Sequence, residues 1–168
     1  MECCRLPPEM PNSTPEPKHQ GGCQCGAVRF AFYAEPIRVG VCHCKMCRRA
    51  TAGAFAALAD IPHEDFAWTK IIPASYQSSS TAIRDFCANC GTPLSYRKVG
   101  GPNTEILLGA FDNPECLVPT YAVCSTSKMP WLDRISDLPD KLATTIGLEQ
   151  AAADMIVFQD VNRSAGEA

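Results

Sequence analysis

A nine-residue segment concentrates residue types that bind metal ions. VCHCKMCRR, residues 41–49, contains three cysteines and a histidine, followed directly by two arginines. The thiols are those of Cys42, Cys44 and Cys47. Three protein ligands with one open position are typical of a catalytic zinc, whereas a structural zinc is closed by four. We interpret this cluster as a zinc site with an exchangeable fourth position, and a metal-free, redox-active thiol cluster is the alternative.

The neighbours of the three cysteines suggest how a ligand is held. In an extended C-x-C segment His43 points away from the two flanking sulfurs, so we expect it to pack beside the site rather than to bind the metal. A zinc with three thiolates is negatively charged, and Arg48 and Arg49, helped by Lys45, would offset that charge and hold an acidic ligand. Successive helical residues point about 100° apart, so we expect only one of the two arginines to reach the site. The alternative is that both are solvated.

Two further cysteine pairs are predicted to form a second, closed metal site. They lie in GGCQCG and DFCANCGTP, and each pair ends in Cys-Gly. The four residues are Cys23, Cys25, Cys87 and Cys90. A disulfide between such close neighbours is strained, whereas a tight turn with glycine aims backbone amides at the sulfurs. Four thiolates fit a tetrahedral structural zinc, so we expect two Zn²⁺ per chain.

Short runs of strand-like sequence must position these cysteines. In AVRFAFYAE, Val28, Phe30 and Phe32 alternate with polar residues, the pattern of a half-buried strand. The candidate strands are residues 27–35, 37–41, 54–61, 74–79, 82–87, 92–98, 105–111 and 119–125. Their close spacing predicts a mainly β fold of antiparallel sheets. Residues 45–53 predict a short helix closed by Gly53.

Composition and residue pattern divide the chain into three segments. Residues 1–20 contain five prolines and few apolar side chains, so we predict a disordered arm. Residues 21–139 form the predicted zinc-binding domain. Residues 140–168 are a C-terminal extension, in which helical spacing over 148–159 predicts a second short helix.

Composition excludes several classes of protein. The 168 residues are 46% apolar and 20% charged, as expected of one soluble domain. The net charge of −3 gives no reason to expect a nucleic-acid partner, and no apolar run is long enough to cross a membrane. The start of the chain has no hydrophobic block of a secretory signal, and the 11 cysteines are an odd number. We therefore expect metal-bound thiolates in a reducing, cytoplasmic compartment.

Four motifs together resemble one protein family. GGCQCGAVRF, CHCKMCRRATAG, FCANCGTPLSY and PWLD are similar to motifs of the glutathione-dependent formaldehyde-activating enzyme family, whose domain also occurs in the centromere protein V group. The resemblance runs from about residue 21 to 139. It implies a β-tent fold, in which a four-cysteine zinc pins antiparallel sheets at one end, and it implies the same division of the cysteines into four and three. Tyr121 departs from the family pattern, which commonly has a histidine there.

The resemblance and the open site lead to one functional expectation and one alternative. We expect a zinc-dependent carbon–sulfur lyase or synthase acting on a small thiol, such as glutathione, and a reactive carbonyl, such as formaldehyde. A zinc-bound hydroxide acting in hydrolysis is a variant of the same site. The alternative is a non-catalytic binding module in which both metals are structural.

Overall fold

Ten short strands make up most of the regular structure. The computed structural model describes residues 15–139, 156 and 159. The strands are β1 His19–Gly22, β2 Arg29–Phe32, β3 Arg38–Cys42, β4 Ala56–Pro62, β5 Phe66–Trp68, β6 Ala74–Ser79, β7 Ala82–Phe86, β8 Pro93–Lys98, β9 Asn103–Leu107 and β10 Tyr121–Val123. The α-helix is α1 Lys45–Thr51, and 3-10 segments occur at His63–Asp65, Leu108–Ala110, Pro114–Cys116, Ser125–Ser127 and Pro130–Asp137. The prediction of a mainly β fold is confirmed.

The strands form two sheets. The smaller has the order β1-β2-β5, and the larger has the order β10-β3-β4-β9-β8-β7-β6. Neighbouring strands are antiparallel except for β10, which runs parallel to β3. The sheets are thus predominantly antiparallel, as predicted, with one parallel pair at the edge of the larger sheet. Residues 108–120 form a crossover from β9 to the far edge of the sheet, and such a crossover lets two strands run in the same direction.

The core lies where the two sheets meet. Val28, Phe30 and Phe32 are buried as predicted, each at most 2% exposed, but Ala31 is buried as well, so β2 is covered on both faces. Phe30 and Phe32 meet Phe111 edge to face, with ring centroids 5.0 and 5.1 Å apart. Ile106 of the larger sheet is fully buried in the same cluster. Aromatic burial of this kind stabilises each side chain by about 1.5–3 kcal/mol and holds the sheets together.

Two strands, β1 and β5, are absent from the sequence prediction. β1 contains Gly21, and glycine weakens a strand in isolation. In the fold, a Cβ at Gly21 would lie 2.1 Å from the carbonyl oxygen of Ala110, so only glycine allows this approach. Gly21 also pairs with Phe111 in an isolated bridge between the sheets. The predicted end of the N-terminal arm, residue 20, therefore lies inside β1.

The predicted helix after the cysteine triplet is α1. Cys44 is its N-cap, and the Cys44 sulfur accepts a hydrogen bond from the Cys47 amide at 3.2 Å. The helix ends at Ala52, which takes the left-handed conformation with φ of 52°. Gly53 was expected to close the helix, and its amide does bond back to the Arg48 carbonyl. The left-handed residue is nevertheless Ala52.

The second predicted helix, over residues 148–159, lies outside the described residues except for Ile156 and Gln159, and neither of these two is helical. Within the described part of the chain, no helix is both long and apolar enough to cross a membrane.

Candidate metal centres

The fold brings the two distant cysteine pairs together. Cys23 and Cys25 lie in the turn between β1 and β2, and Cys87 and Cys90 lie in the turn between β7 and β8. Their four sulfurs lie within 4.8 Å of one another. We call this set the four-cysteine cluster. It joins the smaller sheet to the larger one.

Both turns have the predicted geometry, a tight turn in which a glycine follows the second cysteine, and we call each of them a knuckle. Gly26 and Gly91 follow the second cysteine of each pair, with φ of 70° and 77°. This left-handed conformation suits glycine and turns the chain sharply. The Val28 amide then donates to the Cys23 sulfur at 3.2 Å, and Asn89 donates to the Cys25 sulfur at 3.3 Å. Donors of this kind stabilise thiolate charge.

The spacing of the sulfurs fits a tetrahedral metal. Zinc–sulfur bonds of about 2.3 Å place the sulfurs of a tetrahedral site about 3.8 Å apart. Cys25 lies 3.5 Å from Cys23 and 3.8 Å from Cys87, measured between sulfurs. These distances are well beyond the roughly 2.05 Å of a disulfide. Burial raises the pKa of Cys87 to about 11, so a bound cation is needed to hold its thiolate at neutral pH.

The second group consists of Cys42, Cys44 and Cys47, which we call the three-cysteine cluster. Cys42 ends β3, Cys44 caps α1, and Cys47 is buried in its first turn. Their sulfurs also lie within 4.8 Å of one another, and no other His, Cys, Asp or Glu of the described residues joins them. This donor set fits a zinc ion with one coordination position left for a ligand.

The thiols of the three-cysteine cluster are not equivalent. Burial raises the pKa of Cys42 to about 12. Burial also raises the pKa of Cys47, although a hydrogen bond from Arg84 opposes this effect. Burial also acts to raise the pKa of Cys44, but hydrogen bonds from the backbone and side chain of Cys47 and from Cys42 together outweigh burial, so this pKa is lowered. A cation at the cluster would therefore stabilise thiolates that burial disfavours.

His43 lies outside the three-cysteine cluster. It is 6% exposed, and its ring packs against Phe55 with centroids 5.8 Å apart. Its amide donates to the Val123 carbonyl of β10 at 3.1 Å. This placement matches a packing role rather than that of a fourth ligand.

Three arginines are relevant to the three-cysteine cluster: Arg48 and Arg49 follow Cys47 in α1, and Arg84, which the sequence analysis missed, contacts Cys47. Arg48 contacts the Met129 sulfur, and its buried Nε has no hydrogen-bond partner among the described residues. Arg49 is exposed and lines a cavity beside α1. Arg84, on β7, donates from Nη2 to the Cys47 sulfur at 3.5 Å. Arg84 and Cys47 are 37 positions apart, and the only sequence signal was a single cation within the β7 sequence AIRDF.

The cavity beside α1 has a volume of about 670 Å³. Its walls include Met46 and Arg49 of α1, Arg84 and Phe86 of β7, and Leu107 of β9. Cavities of this size bind small organic ligands, and apolar walls with a few charged groups fix the orientation of such ligands.

Tyr121 stands on the edge strand β10 and covers the backbone of β3. A Cβ at Gly40 would lie 2.4 Å from its ring, so the ring rests on a glycine. Burial raises the pKa of Tyr121, and the nearby Arg38 partly opposes this effect. Arg38 itself pairs with the buried Asp60 at 2.8 Å. Tyr121 therefore belongs to a polar group at the edge of the larger sheet.

Comparison with known proteins finds a matching family and similar proteins. Residues 18–127 match the model of the family described as glutathione-dependent formaldehyde-activating enzyme. An uncharacterized lyase of Schizosaccharomyces pombe is 32% identical over 87 residues, which are 52% of this chain and 63% of the relative. A crystal structure of a Rhodobacter sphaeroides protein matches with a TM-score of 0.50 and 24% identity, over 62% of this chain and 99% of the other. That last likeness concerns the fold alone.

Proposed function

The chain belongs to the glutathione-dependent formaldehyde-activating enzyme family, and on that premise we propose that it is a carbon–sulfur lyase. The reaction joins a small thiol to a reactive carbonyl such as formaldehyde and, in reverse, releases both. The similarity to a lyase of Schizosaccharomyces pombe supports this class of activity. The proposed substrates are a glutathione-like thiol and an aldehyde.

The observation that carries the proposal is the open geometry of the three-cysteine cluster. Its three sulfurs converge, and no fourth His, Cys, Asp or Glu of the described residues completes the set. The four-cysteine cluster nearby is closed. A protein that needed metal only for stability would gain from a closed second site, so the open one favours exchange of a ligand.

Cys42, Cys44 and Cys47 would hold the zinc ion. A zinc ion held there would supply a Lewis acid that favours the thiolate form of the substrate thiol. In the addition, the sulfur forms a bond to the carbonyl carbon as the carbon–oxygen π bond breaks. The thiol proton ends on the former carbonyl oxygen, so the product is an S-hydroxymethyl thioether when the carbonyl is formaldehyde.

The cations beside the cluster would bind an acidic thiol. Arg49 lines the adjacent cavity, whereas Arg48 is turned toward Met129. This arrangement supports the expectation that only one of these two arginines reaches the ligand. A carboxylate in the cavity would form charge-assisted hydrogen bonds with Arg49.

Exchange NMR tests the proposal, because thiols and formaldehyde also combine without a catalyst. The rate of exchange between free thiol and its S-hydroxymethyl adduct is measured with zinc-loaded protein and with the Cys42→Ser/Cys44→Ser variant. We expect acceleration by the wild type and none by the variant. The test uses glutathione, cysteine and mercaptopropionate with formaldehyde and a larger aldehyde. A wild type that accelerates no pair would refute the lyase.

The alternative is a binding module in which both metals are structural. It predicts that neither thiols nor aldehydes perturb the three-cysteine cluster. Cobalt substitution distinguishes the two functions, since a thiol entering an open site changes the absorption spectrum of cobalt at that site. An unchanged spectrum at saturating thiol would favour the binding module.

A further inference from the structure

Arg84 connects the three-cysteine cluster to the cavity beside α1. It pairs across strands with Tyr96 of β8, and its guanidinium carbon lies 5.2 Å from the centre of the Tyr96 ring. Its Nη2 donates to the Cys47 sulfur at 3.5 Å. The ring and the sulfur therefore fix the position of the guanidinium, which also lines the cavity wall.

The remaining hydrogen-bonding capacity of Arg84 is available to a ligand. Only Nη2 has a hydrogen-bond partner among the described residues, which leaves Nε–H and Nη1 as donors. Within the described part of the chain, neither Arg84 nor Arg49 forms an ion pair. Asp85, the carboxylate next to Arg84, is already bound by Ser75, Ser95 and Arg97. Asp85 also lines the cavity, but Arg97 already pairs with it, so the unpaired charges among the described lining residues are those of Arg84 and Arg49.

The size of the cavity indicates which substrate enters it. About 670 Å³ is far more than a one-carbon carbonyl fills and lies within the range of cavities that bind small organic molecules. A thiol whose sulfur reaches the open position at the three-cysteine cluster would place its remaining atoms along the same wall. The first cation that such a molecule meets is Arg84, because this residue contacts both the cluster and the cavity.

We propose that Arg84 is a specificity-determining residue that binds an anionic group of the thiol substrate while one of its nitrogens remains on Cys47. This inference rests on the proposed function and deepens it. The enzyme would then prefer thiols that carry a carboxylate a few bonds from the sulfur. Arg49 of α1, which lines the same cavity, would form a second and weaker contact with the substrate.

Two matched thiols test the proposal. 3-Mercaptopropionate and 2-mercaptoethanol have nearly the same length, but only the first carries a carboxylate. Binding of each to zinc-loaded protein is measured by titration calorimetry with a phosphine reductant, which is not itself a thiol. We expect Arg84→Met to weaken the binding of 3-mercaptopropionate about 10- to 100-fold, the range for a lost charged hydrogen bond. The affinity for 2-mercaptoethanol should change by less than about twofold.

Control variants distinguish substrate binding by Arg84 from an effect on protein stability or on the metal through Cys47. Arg84→Lys keeps the charge and should recover part of the preference, whereas Arg49→Met should cost less than Arg84→Met. Zinc content and the melting temperature are measured for each variant, and the lysine variant carries the test if the methionine variant does not fold. Equal losses for the two thiols would overturn the proposal, because Arg84 would then act only through Cys47. So would a wild type that does not bind 3-mercaptopropionate.

The outcome is distinguishable from failure of the proposed function. A charge-dependent preference that requires Arg84, in a protein that accelerates no thiol–aldehyde exchange, would support Arg84 and refute the lyase. Acceleration of exchange with an unchanged preference in Arg84→Met would support the lyase and refute the role of Arg84.

Discussion

The two cysteine clusters should contribute unequally to stability, and paired substitutions can measure the difference. Cys25→Ser/Cys90→Ser removes one ligand from each knuckle of the four-cysteine cluster. Cys42→Ser/Cys44→Ser removes two ligands of the three-cysteine cluster. All four side chains are partly buried, so the direct packing cost of the two double variants is similar. The comparison therefore isolates what each metal holds together.

The expected magnitudes follow from the length of chain that each cluster closes. Cys25 and Cys87 are 62 positions apart, and closing a loop of about that length removes about 4 kcal/mol of chain entropy from the unfolded state. The three-cysteine cluster lies within residues 42–47, and a loop that short is worth about 2 kcal/mol. We expect the first variant to lose about 2 kcal/mol more than the second. For a chain of this size, that difference lowers the melting temperature by roughly 4–8 °C.

Urea unfolding, followed by tryptophan fluorescence in zinc and reductant, is the assay. The same experiment with a chelator is the control. Removing the metal should lower the stability of the wild type to that of the Cys25→Ser/Cys90→Ser variant or below it. Equal losses in the two double variants would refute the reasoning and make the three-cysteine cluster structural. A larger loss for Cys42→Ser/Cys44→Ser would refute it more strongly.

Three further predictions follow from particular contacts. A weak chelator should remove metal from the three-cysteine cluster before the four-cysteine cluster, since three ligands bind less firmly than four; equal removal rates by atomic absorption would contradict this. Gly21→Ala should destabilise the folded protein by about 1–3 kcal/mol, because the added Cβ would lie 2.1 Å from the carbonyl oxygen of Ala110. Thermal melting measures this loss, and Gly109→Ala is the control, because a Cβ there has no neighbour within 4 Å. Burial and then Asp60 raise the pKa of Glu105 above 4.5, so its stabilising contribution is present below that pH and lost as the pH rises through the folded value. Glu105→Gln should flatten the stability–pH profile above pH 4.5 and make the protein more stable than wild type at pH 7; an unchanged profile would contradict it.

Residue chemistry predicted the cysteine clusters, and residue spacing predicted the strands. Thiols separated by one or two residues are typical of metal or redox sites, so their grouping was visible without knowledge of the fold. The alternating phenylalanines likewise identified β2, since Phe30 and Phe32 are buried as expected. These features depend on neighbours in sequence, which is why the sequence reveals them.

Contacts that depend on strand register were not predictable. Arg84 meets Cys47 across 37 positions, a contact that only the folded chain brings together. Arg48 was correctly placed on α1, but its contact with Met129 spans 81 positions. β1 was missed because glycine is unfavourable in strands. The pairing of Gly21 with Phe111 becomes visible only in the fold. Each failure concerns a partner that the sequence does not bring close.

The division of labour between the clusters has a physical logic. A metal that ties two sheets together must not lose ligands, because opening the site would also open the core beside Phe30 and Phe111. A metal held by six consecutive residues constrains little beyond α1, so an exchangeable ligand there costs the fold little. The position best suited to substrate exchange is therefore the one whose metal matters least for folding. Arg84 would add to this logic, because it brings a charge from β7 to the cluster that we propose exchanges its ligand.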